Sequence, residues 1–547
     1  MNRSTTATVG EQVAAFLEQC GVGMAFGVIS IHNMPMLDAL GRRQNIRFVP
    51  ARGEAGAVNM ADAYAWVSGG RGVVTTSTGT GAGNAAGSLV EALAAGSSVL
   101  HVTGNIDAEY LGQGRGVIHE TKAQDRMLDA VSKRHHTVRS PEAIEATLRT
   151  AATEALTPPT GPVSVEIPID LQYAGGAPSP EPELESPAAA PVAIDGDLDR
   201  AVDLIQWAER PLAWAGGGAV PARGPVADLC RRFGIPLITS NAGRGIIPEG
   251  DPLVVGNFAA SEGGQDLLDR ADLLISIGTH FRSNETRHYK LRLPAAHVQI
   301  DVDPAAIGRA YPCEIGLVGD AGPVVTAIVE RLTEIDRDAW CRQAATTGTA
   351  VRETLSRNIG PYAELCRAMR EVLPPESPLV RDVTIPASAW GNRLLAVLDP
   401  RTNVNARGGG IGQGLGMAVG AATARPDVPT SLMVGDGGLA VHLGELATVA
   451  EAQLPVVAIV FNDGGYGVLR NLQDAHFAHR SGVDLLGPDL AKLAGAFGLG
   501  YHRLAAAGDS HRVLQRAVAD GGPVIVEVDC AAFGEMPVPF VPPVPVS

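Results

Sequence analysis

The sequence predicts an α/β protein made of three doubly wound domains with mostly parallel sheets. Short, continuously apolar runs alternate with helical patterns along the whole chain, and such runs mark strands covered on both faces. The chain has 547 residues, too long for one core and enough for about three or four domains. Two stretches without periodicity divide it. One, residues 176–195, is rich in Pro, Ala and Glu; the other, 341–361, reads as a connection with some helical character. The expected blocks are therefore 1–175, 196–340 and 362–535, followed by a Pro-rich tail at 536–547.

In the first block "GMAFGVI", "IRFVPA", "RGVVTTS", "SSVLHVTG" and "GPVSVEIP" read as buried strands, and "EAGAVNMADAYAWVSG" and "NAAGSLVEALAAG" as helices. The second block supplies "PLAWAGG", "IPLITS", "ADLLISIG" and "AAHVQIDVD" as strands. In the third, "NVNARGG", "TSLMVGDG", "LPVVAIVFND" and "GPVIVEVD" are strands, separated by the helices "GLGMAVGAATAR" and "LGELATVAEAQ". Open sheets of this kind bind ligands beyond the carboxyl ends of their strands, so chemistry is expected there.

Composition narrows the function. A formal net charge of −16 and the lack of any Lys/Arg block argue against nucleic-acid binding. One anionic cofactor remains compatible, because backbone N–H groups and a metal supply positive field locally. The six cysteines are scattered, without a C-x-x-C pair, as expected for free thiols in a reducing compartment. The N-terminus lacks the apolar core of a signal peptide, and no apolar run approaches the roughly 20 residues that cross a bilayer. A cytoplasmic protein with no membrane partner is the expectation.

The sharpest signal lies between residues 430 and 467. The strand "TSLMV" ends in Gly435-Asp436-Gly437-Gly438, a helix follows, and the strand "LPVVAIVFN" ends in Asp463-Gly464-Gly465. Parallel strands joined through one helix end on the same sheet edge, so Asp436 and Asp463 are expected to converge. Two carboxylates, water and a backbone carbonyl make an all-oxygen set suited to Mg²⁺. Gly435, Gly437 and Gly438 let the backbone aim N–H groups at a phosphate. Each motif alone usually reads as a turn; the pair at the ends of one strand–helix–strand unit is what points to a clamp.

These residues resemble the thiamine-diphosphate-dependent 2-oxo-acid decarboxylases and carboligases, the group of acetolactate synthase and benzoylformate decarboxylase. That family carries G-D-G followed some 25 residues later by N-N; here the motif stands as Gly435-Asp436-Gly437 and Asn462-Asp463. The resemblance implies that Asp436, Asp463 and the Gly465 carbonyl hold the metal, with Asp463 where the family usually has Asn. "NDGGYGVLR", which includes Tyr466, is similar to the benzoylformate decarboxylase pattern. The likeness spans the chain as a pyrimidine-binding, a middle and a diphosphate-binding domain.

The family also uses a glutamate to draw the aminopyrimidine into the form that removes the thiazolium C2 proton. That acid must be shielded so that it carries a proton at the working pH. "ARGEAGAV" places Glu54 there, although an acid in the first turn of a helix is also favoured by the helix dipole. By resemblance, Glu54 acts on cofactor held by a neighbouring subunit, so a homodimer or homotetramer is implied. In "GGIG" (409–412), Ile411 matches the apolar wedge under the two rings and Gly409 the carbonyl facing the aminopyrimidine. Ile411 as plain core is the other reading. Thr384 and Ile385, in "RDVTIPASAW", match the loop that touches the diphosphate.

The substrate pocket is expected from Ile31 and His32, Ser77, His119 and Glu120, and the middle-domain His280. His32 and His119 are the candidate proton shuttles, because histidine titrates near neutrality. His135 and His136 read as a solvated basic face. His280 and Arg282 face the same cleft, where either would meet a substrate carboxylate or a second nucleotide. The loop "WAGGGAVPARG" reads either as a nucleotide site, such as FAD in acetolactate synthases, or as a tight turn. The expected activity is decarboxylation of a 2-oxo acid, the new carbon centre being protonated or joined to a second carbonyl or aldehyde. The alternatives are a carbon–carbon lyase of 2-hydroxy ketones or 2-hydroxyacyl-CoA, and a non-catalytic nucleotide-binding subunit. The tail reads as an extended strap or a disordered end.

Overall fold

The computed structural model describes residues 7–176 and 195–542. The expected linker at 176–195 lies almost wholly outside the described residues, as does the end of the tail at 543–547. Each block forms a six-stranded parallel sheet. The first holds β1 (Met24–Gly27), β2 (Arg47–Pro50), β3 (Gly72–Thr76), β4 (Val99–Asn105), β5 (Arg134–Thr137) and β6 (Val163–Pro168), in the order β2-β1-β3-β4-β6-β5. The second holds β7 (Pro211–Ala215), β8 (Leu237–Thr239), β9 (Val254–Gly256), β10 (Leu273–Ile277), β11 (Ala296–Asp301) and β12 (Ile315–Val318), in the order β12-β11-β10-β7-β8-β9. The third holds β13 (Leu379–Arg381), β14 (Asn403–Asn405), β15 (Thr430–Gly435), β16 (Val456–Asn462), β17 (Gly500–Leu504) and β18 (Val524–Asp529), in the order β14-β13-β15-β16-β18-β17.

The first and third domains thus share one topology. In each of the three sheets the strand order reverses near the centre, between β1 and β3, between β7 and β10, and between β13 and β15. A crevice opens at such a point, at the carboxyl ends of the strands. The runs that read as strands do so because both sheet faces are covered: every residue of β3, β4, β7 and β10 is buried.

One apolar core is shared by the first and third domains. It joins Phe26, Met60 and Leu89 to Leu415, Val419 and Leu432. At its centre the helix Glu54–Ser68 packs on the helix Gly414–Ala424. Both are buried around most of their circumference, which explains why neither shows a one-sided apolar stripe. Contact is backbone to backbone: a Cβ on Gly420 would come within 2.0 Å of the Met60 carbonyl oxygen.

Residues 341–361, expected as a connection with some helical character, are not an irregular one: the helix Asp338–Ile359 runs through nearly all of them. The stretch Thr346-Thr347-Gly348-Thr349 at its centre has low helix propensity, and packing overrides it. Trp340, Ala344, Gly348 and Val351 are buried against the middle domain, and Trp340 Nε1 donates to the Pro211 carbonyl at 2.7 Å. His135 and His136 are not a solvated face either. They lie on β5, an edge strand paired with β6. His135 Nε2 stands 3.8 Å from the Glu166 carboxylate, and His136 Nε2 shares a 2.6 Å hydrogen bond with Glu154. Among the described residues no helix is long and apolar enough to cross a membrane.

Candidate active site

β15 and β16 are parallel neighbours, with Gly435 opposite Phe461, so their carboxyl ends share one edge. Asp436 opens a short helix there, and Asp463 follows β16. The Asp463 N–H donates to Asp436 Oδ1 at 3.4 Å. Asp463 Oδ1 is buried and accepts no hydrogen bond within hydrogen-bonding distance. Burial, and then the neighbouring Asp436 charge, push the Asp463 carboxyl up to about 6. Burial raises Asp436 as well, opposed by the N–H groups of Asp463, Asp436, Gly437 and Gly465. Asp436 is buried and Asp463 partly so, with its Oδ1 3.8 Å from the Arg470 guanidinium; two carboxylates this close repel, and a hard divalent cation relieves that cost. The residues therefore fit Mg²⁺. Arg470, which the sequence reading did not single out, braces the loop: Nη1 donates to the Asp463 carbonyl at 3.1 Å and Nη2 to that of Gly464 at 3.2 Å.

The backbone around this pair is crowded. Gly465 has φ +149, and a Cβ on it would meet the Val483 carbonyl oxygen at 2.1 Å. A Cβ on Gly437 would meet the Tyr466 ring at 2.8 Å and the Gly465 oxygen at 3.0 Å. Gly437, Gly465 and Tyr466 are thus in mutual contact. Thr384 is buried, with Oγ1 3.3 Å from the Cβ position of Gly435; Ile385 Cδ1 lies 2.9 Å from that of Gly467. Gly438 faces the Asp382 carboxylate, 3.6 Å from its own Cβ position.

Asp382 is a second residue missed in the sequence. Its carboxylate accepts N–H groups from Val383 at 2.6 Å, Gly412 at 3.1 Å and Gly414 at 3.0 Å, and burial pushes it up to about 6. It fixes the loop that carries Gly409 and Ile411. Ile411 is 39% exposed in the protomer, so it is not core; an aliphatic side chain is held facing open space.

In the first domain, Glu54 opens the helix Glu54–Ser68, and its Oε2 accepts from Asn84 Nδ2 at 3.2 Å. A Cβ on Gly81 would lie 2.8 Å from Glu54 Oε1 and 2.7 Å from Ser77 Cβ, so Glu54 and Ser77 flank that glycine. The His32 and His119 rings stand edge to face, 5.1 Å apart. His32 is 6% exposed, its Nδ1 is buried without a partner, and burial, then His119, hold it below its ordinary value. The His119 carbonyl lies against Gly79. Ser77 Oγ is likewise buried and unpaired. Glu54, Ser77, His32 and His119 therefore gather on one edge of the first sheet, with the exposed Ile31 nearby in sequence.

Other expected pocket members are placed elsewhere. The Glu120 carboxylate is spent on the N–H groups of Gly114, Gly116 and Val117. His280 follows β10 in the middle domain, near Asp301 and Arg309, and no hydrogen bond joins it to the first-domain histidines. Arg282 donates to the carbonyls of Ala94 and Arg407 and so ties the three domains together. In the glycine loop of the middle domain, Gly216 N–H donates to Ile277 at 2.9 Å and Gly218 N–H to Gly278 at 3.0 Å, so these donors serve the turn itself.

Fold and site together define a three-domain α/β enzyme with a paired-carboxylate edge on its third domain and an acid–histidine edge on its first. Residues 7–131 match the thiamine pyrophosphate enzyme N-terminal TPP-binding domain, 198–328 the central domain and 386–528 the C-terminal TPP-binding domain. The chain belongs to the thiamine pyrophosphate enzyme family. It is 29% identical to the probable 2-ketoarginine decarboxylase AruI of Pseudomonas aeruginosa, over 96% of this chain and 95% of that one. It is 27% identical to a probable acetolactate synthase large subunit of Methanocaldococcus jannaschii, over 95% and 91%. Identity to acetolactate synthase isozyme 1 large subunit of Escherichia coli is 26%, over 98% and 96%. The protein is a thiamine-diphosphate-dependent enzyme of 2-oxo-acid decarboxylation or carboligation.

Proposed function

We propose that this protein is a cytoplasmic, Mg²⁺-dependent 2-oxo-acid decarboxylase that ends its cycle by protonation. The Asp436–Asp463 pair carries the reading: two adjoining carboxylates, one buried and one partly so, at the carboxyl ends of the neighbouring strands β15 and β16. Asp436, Asp463 and the Gly465 carbonyl would hold Mg²⁺. Gly435, Gly437, Gly438, Thr384, Ile385 and Tyr466 would line the diphosphate, and Gly409 and Ile411 would seat the rings. When bound, the cofactor supplies an electron sink for the bond between the carboxyl and carbonyl carbons.

The chain's own residues do the rest. Glu54, from the neighbouring protomer of a homodimer or of a dimer within a tetramer, would hold a proton against the aminopyrimidine. His32 and His119 would deliver the proton that replaces CO₂, with Ser77 and Ile31 beside them. A buried, unpartnered ring nitrogen on His32 supports this. Carboligation is the second reading, favoured by the acetolactate synthase names among the relatives.

Chelator-stripped protein should regain CO₂ release only when Mg²⁺ and thiamine diphosphate are both returned. The substrate panel should run from pyruvate to aromatic and guanidino-tailed 2-oxo acids, the last because of the relative named for 2-ketoarginine. Turnover independent of metal and cofactor would refute the reading. A yellow protein yielding coupled products would favour the carboligase.

A further inference from the structure

Two buried carboxylates cross between the first and third domains in opposite directions. Glu445, on the third-domain helix Glu445–Glu451, is 2% exposed. Its Oε1 accepts the backbone N–H groups of Arg52 at 3.0 Å and Gly53 at 3.1 Å, the two residues before Glu54. Its Oε2 accepts from Thr448 Oγ1 at 2.8 Å. Glu91, on the first-domain helix Thr80–Ala95, is also 2% exposed. Its Oε1 accepts the N–H groups of Arg407 and of Gly408, the latter at 2.6 Å, just before Gly409.

The two arrangements correspond. The sheets have the same strand order, each acid follows the third strand of its domain, and each pair of N–H groups follows the second strand of the other domain. Each acid also faces a glycine that leaves it room: a Cβ on Gly56 would reach Glu445 Oε1 at 2.2 Å, and one on Gly408 would reach Glu91 Oε2 at 2.8 Å. A buried carboxylate is retained at such a cost only where its oxygens are used. Here they are spent on the backbone that leads directly into Glu54 on one side and Gly409 on the other.

We propose that Glu445 and Glu91 are reciprocal positioning residues. Glu445 sets the segment from which Glu54 projects, and Glu91 sets the segment whose Gly409 carbonyl faces the aminopyrimidine. The inference rests on the roles given to Glu54 and Gly409 above. Neither acid touches substrate or cofactor, and each acts through a backbone segment of the opposite domain.

The test uses the full chain loaded with Mg²⁺ and thiamine diphosphate. Four variants, Glu445→Ala, Glu445→Asp, Glu445→Gln and Glu91→Ala, are read three ways: exchange of the cofactor C2 proton in D₂O, amide exchange over 50–54 and 406–410, and cofactor affinity by calorimetry. Glu445→Ala should slow C2 exchange by about tenfold or more, since small displacements of a catalytic group cost that much. It should also speed exchange of the Arg52 and Gly53 amides while leaving cofactor affinity within about threefold of wild type. Glu445→Gln keeps Oε1 and should restore both exchange rates. Glu91→Ala should slow C2 exchange and loosen 406–410 instead of 50–54. If Glu445→Ala does not fold, Glu445→Asp carries the same test, because it withdraws the acceptor and keeps the charge. C2 exchange at the wild-type rate in a folded Ala or Asp variant, or a Gln variant as impaired as Ala, would overturn the inference alone. A wild-type protein that neither binds thiamine diphosphate with Mg²⁺ nor exchanges its C2 proton would overturn it together with the functional reading.

Discussion

Asp463 turns its backbone N–H toward Oδ1 of Asp436, 3.4 Å away, across the carboxyl ends of two adjacent parallel strands. The contact brings two acids together that are 27 residues apart in sequence, and Asp463 Oδ1 accepts no hydrogen bond.

That arrangement makes metal binding depend on pH. With the Asp463 carboxyl held up to about 6, chiefly by burial, a proton competes with the metal below that value. Mg²⁺ affinity should fall by about tenfold per pH unit below about 6, as one proton is displaced. Asp463→Asn removes the titrating group and should flatten the dependence while retaining binding. Calorimetry between pH 5 and pH 8 reads both outcomes.

Arg470 supports the same loop from the helix behind it. Its guanidinium holds the carbonyls of Asp463 and Gly464 and lies 3.8 Å from Asp463 Oδ1. Arg470→Ala should weaken Mg²⁺ binding by about 10–100-fold, the usual cost of losing support behind a metal ligand. Metal titration of the variant, with its melting temperature as control, checks this.

The helix crossing between the first and third domains should tolerate no side chain at Gly420. A Cβ there would sit 2.0 Å from the Met60 carbonyl oxygen, and the obstacle is backbone rather than a movable side chain. Gly420→Ala should destabilise the protein by about 1–3 kcal/mol or more. Denaturant unfolding measures the loss.

Acid stability should carry the mark of His101. It is fully buried, its ring nitrogens bond Thr76 Oγ1 at 2.8 Å and Ser164 Oγ at 2.9 Å, and burial lowers it to about 3. The fold therefore favours the neutral ring. Because the folded value lies below the unfolded value near 6.5, stability should be fully present above about 6.5 and decline as pH falls toward 3. His101→Gln cannot take up that proton, so its stability should fall less steeply over the same range. Urea unfolding at stepped pH compares the slopes.

Much of the architecture was legible because long buried strands announce themselves. β10 ("LLISI") and β16 ("VVAIVFN") are almost continuous apolar runs with no competing pattern. The strands that escaped notice are short or at edges. β9 and β13 have three residues each, and β5 ("RHHT") and β17 ("GYHRL") carry polar side chains along exposed sheet margins. The helix Asp338–Ile359 was obscured by threonines and glycine whose low propensity is offset by the burial of Trp340 and Val351. At the site, Asp436 and Asp463 were readable because one strand–helix–strand unit fixes their meeting point. Asp382, Arg470, Glu91 and Glu445 were not. Each acts on backbone N–H or carbonyl groups, which leave no mark in side-chain patterns, and Glu445 reaches segments almost four hundred residues away.

The most direct test of the clamp is titration of thiamine diphosphate into metal-free wild-type and Asp436→Ala protein, with and without Mg²⁺. Saturable binding by wild type that needs Mg²⁺, and its loss in Asp436→Ala with the fold intact, is the predicted result. Equal, metal-independent binding by both proteins would contradict it.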